Sequence, residues 1–425
     1  MPVRPIWLAL TAIALVMGGS SVPAQSQAAA LPSLEVKAHR GGWLAYDAPE
    51  ESLKALTAAA EDGVDWVEFD VVFTKDGVAV LQHGDVVGGG SSGSAICTPR
   101  AGEKIHELTW AQVADVHCTD KASGDVQPIA RLAEVLTMLA SHPGAKVDLE
   151  VKTYSGQSLQ QKKQWMAWTL GQTRAIHSRM SISSFAWREL AGVIRTWAPK
   201  AYFLALEYAH LVSLGKNAAY ANIRQAKKVG ADGFAYNVNS SEVGHLKFVR
   251  AMGLGVHLYD FDTGGPKYSE QVKFAIANGQ RVLGADNPQH LRTFIAGLGG
   301  QLPTPRLVVT GLKTKTVLST TLKSSKRRYP QIMGSKSTVP SSAQNQLDSV
   351  RLRVKITASR SGGLVELAPR NSRVGVDGVR LKVRKGTHSY VVYVSAGDHG
   401  DLRVRTTRTV KLSIAVTGYR TARFA

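Results

Sequence analysis

Cysteine is almost missing from this chain: 425 residues contain two, Cys97 and Cys118. So few thiols exclude a disulfide-rich scaffold and any metal site or redox motif built from several cysteines. Long apolar runs are missing as well. After the first 30 residues, no segment approaches the roughly 20 apolar residues that a helical membrane span needs. Acidic residues are scarce toward the C-terminus. Residues 306–425 hold 24 Lys/Arg against 5 Asp/Glu, a net +19, which leaves about +1 of the chain's +20 for everything before them. The composition changes at residues 299–305 (GGQLPTP), so a nearly neutral unit and a strongly basic one call for separate explanations.

The first 30 residues carry Arg4, an apolar run from Ile6 to Met17, and the small-residue site Ala28-Ala29-Ala30. That pattern predicts a secretory signal, with the apolar run too short for a span. The expected location is secreted or extracytoplasmic, with association to the cell envelope. An exported protein meets oxidising conditions, so Cys97 and Cys118 are expected to form one disulfide, contributing about 3 kcal/mol in the chain-entropy account. The expected division is a signal over 1–30, a barrel over 31–300, a basic linker with a first strand over 301–345, and a basic β domain over 346–425.

Strand-like runs lie at 35–38, 66–72, 78–83, 147–152, 180–184, 202–207, 233–237, 255–260 and 281–285. Amphipathic segments such as 50–61, 158–177, 218–228 and 241–252 separate many of them. This alternation argues for a parallel sheet covered by helices. The run 78–83 follows Asp76-Gly77 and returns as a hairpin partner. Removing it leaves eight strands, the number in a (β/α)₈ TIM barrel. A loop at Asp76-Gly77 sets His83 opposite Asp70, and a loop at Lys75-Asp76 sets it opposite Glu68.

Chemistry in such a barrel sits where the strands end. The first strand ends in AHRGG, with His39 and Arg40; the second carries Glu68 and Asp70 on one face. A later one ends in LEVK, with Glu150 and Lys152, and the last in ADNP, with Asp286. Carboxylates in a barrel mouth are costly unless paired or bound to a cation. Glu68, Asp70 and Glu150 together suit a hard divalent ion with oxygen ligands, Mg²⁺ or Ca²⁺.

AHRGG, APEES (residues 48–52), GVDWVEFDVVFTKDG (63–77), LQHGD (81–85), LEVK and ADNP resemble, in that order, the motifs of the glycerophosphodiester phosphodiesterases. The resemblance covers about residues 36–298. It implies a (β/α)₈ barrel that hydrolyses glycerophosphodiesters to sn-glycerol 3-phosphate and an alcohol with a divalent metal. By position it implies that Glu68, Asp70 and Glu150 bind the metal and that His39 and His83 are the acid/base pair. Arg40 and Lys152 would hold the phosphate, with Glu50 at the site edge. Three stretches depart from the family pattern. Gly84 separates His83 from Asp85, residues 88–102 replace an arginine-threonine stretch, and HLYD (257–260) and ADNP replace a tryptophan-bearing strand and a TDRP-like end. The residues assign His39 as base and His83 as acid.

Blander roles are expected elsewhere. His106, His117 and His142 read as solvated or capping groups. His257 reads as a satisfied core histidine or, at a rim, a substrate contact. Trp43, Tyr46 and Tyr259 line a groove or simply pack, and the glycines of 88–93 read as a flexible loop. The basic C-terminal part shows short alternating runs at 350–356, 363–367, 378–383, 389–394, 402–406 and 410–417, the pattern of a β-sandwich. Its charge is expected to meet a teichoic-acid-like polymer or an anionic lipid surface rather than nucleic acid. The competing functions are a polyanion-binding envelope protein without activity, and a phosphodiesterase for a choline or ceramide lipid.

Overall fold

The computed structural model of the protein describes residues 30–89, 94–207, 217–240, 243–261, 265–330, 339, 347–369, 378–394 and 402–423. All but the last residue of the expected signal, residues 90–93 of the glycine-rich stretch, the start of the 241–252 helix and most of 331–346 lie outside them.

The expected strands form. In chain order they are β1 (Glu35–Ala38), β2 (Trp66–Phe73), β3 (Ala79–Leu81), β4 (Ala95–Thr98), β5 (His117–Asp120), β6 (Val126–Pro128), β7 (Lys146–Val151), β8 (Met180–Ser184), β9 (Tyr202–Leu206), β10 (Gly233–Asn237), β11 (Gly255–Tyr259) and β12 (Val282–Ala285). Eight run parallel in the order β11-β10-β9-β8-β7-β2-β1-β12, a nearly closed barrel with β3 paired antiparallel to β2. At the seam the side chain of Gln280 takes the place of backbone pairing. Leu258 N–H donates to Gln280 Oε1 and Gln280 Nε2 donates back to Leu258 O, at 3.0 and 3.1 Å. Between strands, helices cover the wall with one apolar face. The helix Trp187–Trp197 buries Trp187, Leu190, Ala191 and Ile194, one stripe at helical spacing. Phe69 and Leu149 alternate with the site carboxylates along β2 and β7, and both are fully buried against this layer.

The hairpin takes neither expected register. Val71 pairs with Leu81, Val72 with Val80 and Phe73 with Ala79, a register midway between the two, so by count His83 falls opposite Phe69. The cause is Thr74. Its N–H donates to Val78 O, its Oγ1 accepts from Val78 N, and Gly77, at φ +82°, donates to Thr74 O. The loop therefore spans Lys75, Asp76 and Gly77. The next segment holds a small sheet, β4-β5-β6, in which Cys97 faces Cys118 and the two form the expected disulfide.

The basic part is all β: β13 (Arg306–Leu322), β14 (Arg327–Arg328), β15 (Leu347–Ala358), β16 (Leu364–Pro369), β17 (Val379–Lys382), β18 (Gly386–Val394), β19 (Leu402–Thr406) and β20 (Val410–Arg423). They make two four-stranded sheets, β13-β20-β15-β18 and β14-β19-β16-β17. Val350, Leu352, Val354, Val365, Leu367 and Val404 from both sheets share one core. That matches the sandwich pattern read from the alternation.

Candidate active site

The chain leaves β1 through an unusual turn. Arg40 has φ +50°, Gly41 +81° and Gly42 +69°, three consecutive left-handed residues. A Cβ on Gly41 would stand 2.9 Å from Ala55 Cβ, and one on Gly42 2.9 Å from Pro288 Cδ. A non-glycine residue held left-handed costs on the order of 1–3 kcal/mol. Arg40 stays there because its N–H donates to Glu68 Oε2 at 2.6 Å. The motif HRGG is thus a backbone device that brings His39 and Arg40 to the same strand ends as Glu68.

Around it the expected residues gather. His39 Nδ1 lies 2.6 Å from Asp286 Oδ1, at the end of β12, and its imidazole keeps about a third of its surface open (36%). Arg40 Nη1 donates to Glu50 Oε2 at 2.6 Å, both side chains buried. Lys152 Nζ lies 2.8 Å from Glu150 Oε1 and 3.1 Å from Asp70 Oδ1. His83 follows β3, where Gln82 N–H donates to Asp70 O at 3.2 Å. Glu50 therefore meets Arg40 rather than His39.

The charges push these groups apart. Burial, with Asp70 beside it, raises Glu68 above the usual carboxylate range. Burial raises Glu150 to about 7, Lys152 only partly offsetting it while Asp70 adds to it. For Asp70, burial works upward, but Lys152, His83 and Arg40 outweigh it and hold it at about 2. Burial and Arg40 pull His39 down, yet Glu68 and Asp286 outweigh them and hold the imidazole above its usual value. His83 is lowered to about 3, by burial first and by Lys152 and Arg40, against the pull of Asp70.

Two residues outside the expected set belong here. Glu51, buried at φ +64°, accepts Asp70 N–H on Oε2 at 3.0 Å, and burial with Asp70 and Glu68 raises its pKa well above normal. One step below the rim, Lys37 Nζ donates to Asp148 Oδ2 at 2.6 Å and acts on Glu68. Lys37 on β1 and His39 just past its end stand two residues apart, as Asp148 and Glu150 do on β7, so the period of two held the signal.

Other expectations resolve individually. His106 is neither solvated nor a cap: its ring bonds Asp85 and stacks on Tyr154, centroids 3.7 Å apart and planes within 4°. That contact fixes Asp85, the residue displaced by Gly84. His142 caps its helix, with Nδ1 2.9 Å from Met138 O, and His117 is exposed. His257, midway along β11, bonds Tyr202 Oη at 3.1 Å, a satisfied histidine. Tyr46 turns to Asp62 at 2.9 Å.

Among the described residues no three His, Cys, Asp or Glu groups already stand at metal-holding distances. The donor chemistry nevertheless fits. Four buried carboxyls crowd one mouth, and Asp70 Oδ2 is buried without a hydrogen-bond partner, which suits an oxygen ligand for a hard cation.

The chain matches the glycerophosphoryl diester phosphodiesterase family over residues 39–290 and belongs to it. Members of that family generally use a divalent metal. Glycerophosphodiester phosphodiesterase 1 of Rattus norvegicus is 42% identical over 76 residues, 18% of this chain and 20% of that protein. The matched stretch thus spans about a fifth of this curated relative. A Silicibacter pomeroyi structure, provisionally assigned as a glycerophosphoryl diester phosphodiesterase, superposes with a TM-score of 0.54 at 18% identity, covering 63% of this chain and 95% of that one. A Parabacteroides distasonis glycerophosphodiester phosphodiesterase gives 0.50 at 18% identity over 63% and 100%. At that identity the two structures bear on the barrel alone.

Proposed function

We propose that the protein is a secreted, metal-dependent phosphodiesterase that hydrolyses glycerophosphodiesters to sn-glycerol 3-phosphate and an alcohol. The observation that carries this reading is the convergence of His39, Arg40 and Lys152 on a buried carboxylate cluster at one barrel mouth, with the pKa values of His39 and His83 shifted in opposite directions. A phosphodiester anion repels nucleophiles, so its non-bridging oxygens must be neutralised. Arg40 and Lys152 bring positive charge to the mouth. A divalent ion, Mg²⁺ or Ca²⁺, held by Glu68, Asp70 and Glu150 supplies the rest when bound.

Proton transfer falls to His39 and His83. His39 Nδ1 is engaged by Asp286, so Nε2 is the atom that meets substrate. A pKa held above the usual value suits His39 to protonate the leaving alkoxide, and His83, lowered to about 3 and so without a proton at pH 7, is left to accept that of the attacking hydroxyl. In this reading the two roles are the reverse of those expected from the sequence. Glu50 holds Arg40 in place. The basic C-terminal sheets serve to hold an anionic envelope polymer or membrane surface. An inactive binder has no need to keep His39, His83, Glu68, Asp70, Glu150 and Lys152 together, which favours the enzyme.

The test is product analysis. The purified protein is incubated with glycerophosphocholine, glycerophosphoglycerol and a choline or ceramide phospholipid, with and without chelator. Release of glycerol 3-phosphate from the first two only supports the reading; cleavage of the phospholipid alone moves the substrate class, and no cleavage of any of them leaves the binder.

A further inference from the structure

The outer face of the sheet β13-β20-β15-β18 carries a charge pattern that the barrel site does not use. On β15, Val350, Leu352, Val354 and Ile356 are buried, so Arg351, Arg353 and Lys355 face out. The register extends this face sideways. Arg351 lies opposite Gly418 and Tyr393, Arg353 opposite Ala415 and Val391, and Lys355 opposite Ser413 and Ser389. One row further, Lys411 lies opposite Thr357; one row back, Arg420 lies opposite Ser349, its guanidinium 3.5 Å over the Tyr393 ring. Each successive row thus adds one cation: Arg420, Arg351, Arg353, Lys355, Lys411. Among the described residues of this face there is no Asp or Glu.

Rows on one strand face repeat every two residues, about 6.7 Å, so the track runs about 27 Å. Beside it, Gly311, Thr316 and Ser319 on β13 lie opposite Gly418, Ala415 and Ser413 on β20. Small side chains line this flank, and the Arg351 guanidinium lies over Gly418 and Gly311, donating to Thr417 O at 2.8 Å. The opposite sheet is also basic but differently arranged. Arg327, Arg405 and Arg380 crowd a single row around Glu366, with Arg380 Nε 3.2 Å from its carboxylate.

We propose that the β13-β20-β15-β18 face binds a linear poly(glycerol phosphate), one phosphate to each row. This rests on the reading above of the basic sheets as a holder of envelope anions, and names the face and the polymer. Such a polymer carries one negative charge per repeat, and the extended reach from phosphorus to phosphorus through a glycerol bridge is on the order of 7 Å at ordinary bond lengths. Its hydroxyls suit Thr316, Ser319 and Ser413 beside the track. Single-stranded nucleic acid has a similar charge spacing but relies on aromatic stacking platforms, and the Tyr393 ring is covered by Arg420. A lipid surface calls for a continuous apolar patch, whereas exposed Val309 and Val391 stand on the two opposite edge strands.

The test uses the full chain and compares R353S/K355S/K411S with R380S/K382S/R403S, which removes the same charge from the other sheet. Binding to poly(glycerol phosphate) is measured by co-sedimentation across a salt series, with phosphatidylglycerol vesicles and a single-stranded oligonucleotide as competitors. The first variant is expected to weaken binding at least tenfold and to reduce the log–log salt slope by about two, at roughly 0.7 per phosphate contact. The second changes binding less than twofold, and R353K/K355R, which keeps the charges, binds like the unaltered chain. Equal losses in the two serine variants, or competition by vesicles or oligonucleotide as strong as by the polymer itself, would overturn the proposal. Diester turnover is read separately on the unaltered chain: a protein that binds the polymer yet hydrolyses no diester refutes the hydrolase and leaves this face standing.

Discussion

His39 and Asp286 join the two ends of the barrel's chain path, 2.6 Å apart, with Nδ1 of the imidazole facing the carboxylate Oδ1. β1 and β12 are neighbours in the sheet, so this contact orients the His39 imidazole from the strand beside it. Asp286 also helps to hold the His39 pKa above normal. Asp286→Asn keeps the shape and removes the charge. It should lower kcat by about 10²-fold or more, the scale on which acid–base groups act. The alkaline limb of the pH–rate profile, where His39 loses its proton, should move to lower pH. An unmoved limb would remove His39 from the role of acid.

The two histidines should separate by leaving group. His39→Ala and His83→Ala should each lower kcat on glycerophosphocholine by about 10² to 10⁴. A nitrophenyl diester leaves without protonation. His39→Ala should be largely rescued on it and His83→Ala should not. Rescue of His83→Ala instead would make His83 the acid and His39 the base.

The carboxylate cluster makes stability depend on pH. Glu68 and Glu150 are raised in the folded protein, Glu150 to about 7 from 4.5. A raised carboxyl stabilises the fold below its unfolded pKa and loses that contribution as pH rises through the folded value. Without divalent ions, this carboxyl contribution should therefore fall between about pH 4.5 and 7. It is read as the Tm difference between the parent and Glu150→Gln, because His83, lowered to about 3, acts in the opposite direction over the same window. Mg²⁺ or Ca²⁺ binds the ionised form and should raise Tm at pH 8, by the equivalent of about 2.7 kcal/mol at one hundred times Kd, with little effect at pH 5. A thermal melt at both pH values checks this; an ion effect of equal size at both contradicts it.

Gly41→Ala tests the backbone device. The added Cβ meets Ala55 Cβ at 2.9 Å and the residue sits at φ +81°, so it should cost about 1–3 kcal/mol in a urea melt. Because His39 and Arg40 ride on the turn, kcat should fall with it. A variant as stable and as active as the parent would show the turn to be unimportant.

The barrel was legible because its strands announce themselves by period and its rim residues lie in short motifs. AHRGG, EFD and LEVK each place functional groups within a few residues, where strand alternation alone fixes the face. What stayed hidden depends on side chains meeting across the fold. Thr74 caps the hairpin with its hydroxyl and shifts the register by one. Glu51 differs from Glu50 only in a left-handed backbone that turns it inward to Asp70. The Asp85–His106–Tyr154 stack joins three segments of the chain, so no local pattern marks His106 as more than a surface residue.

The carboxylates at the barrel mouth are expected to hold a cation needed to cleave a glycerophosphodiester. The measurement is glycerol 3-phosphate release from glycerophosphocholine after exhaustive chelation, then on addition of Mg²⁺ or Ca²⁺, for the parent chain and for Asp70→Asn. The parent should fall to background and recover with the added ion, while Asp70→Asn should stay near background in both states. Full turnover by the chelated parent, or recovery of Asp70→Asn to the parent's rate at the same ion concentration, would contradict the account.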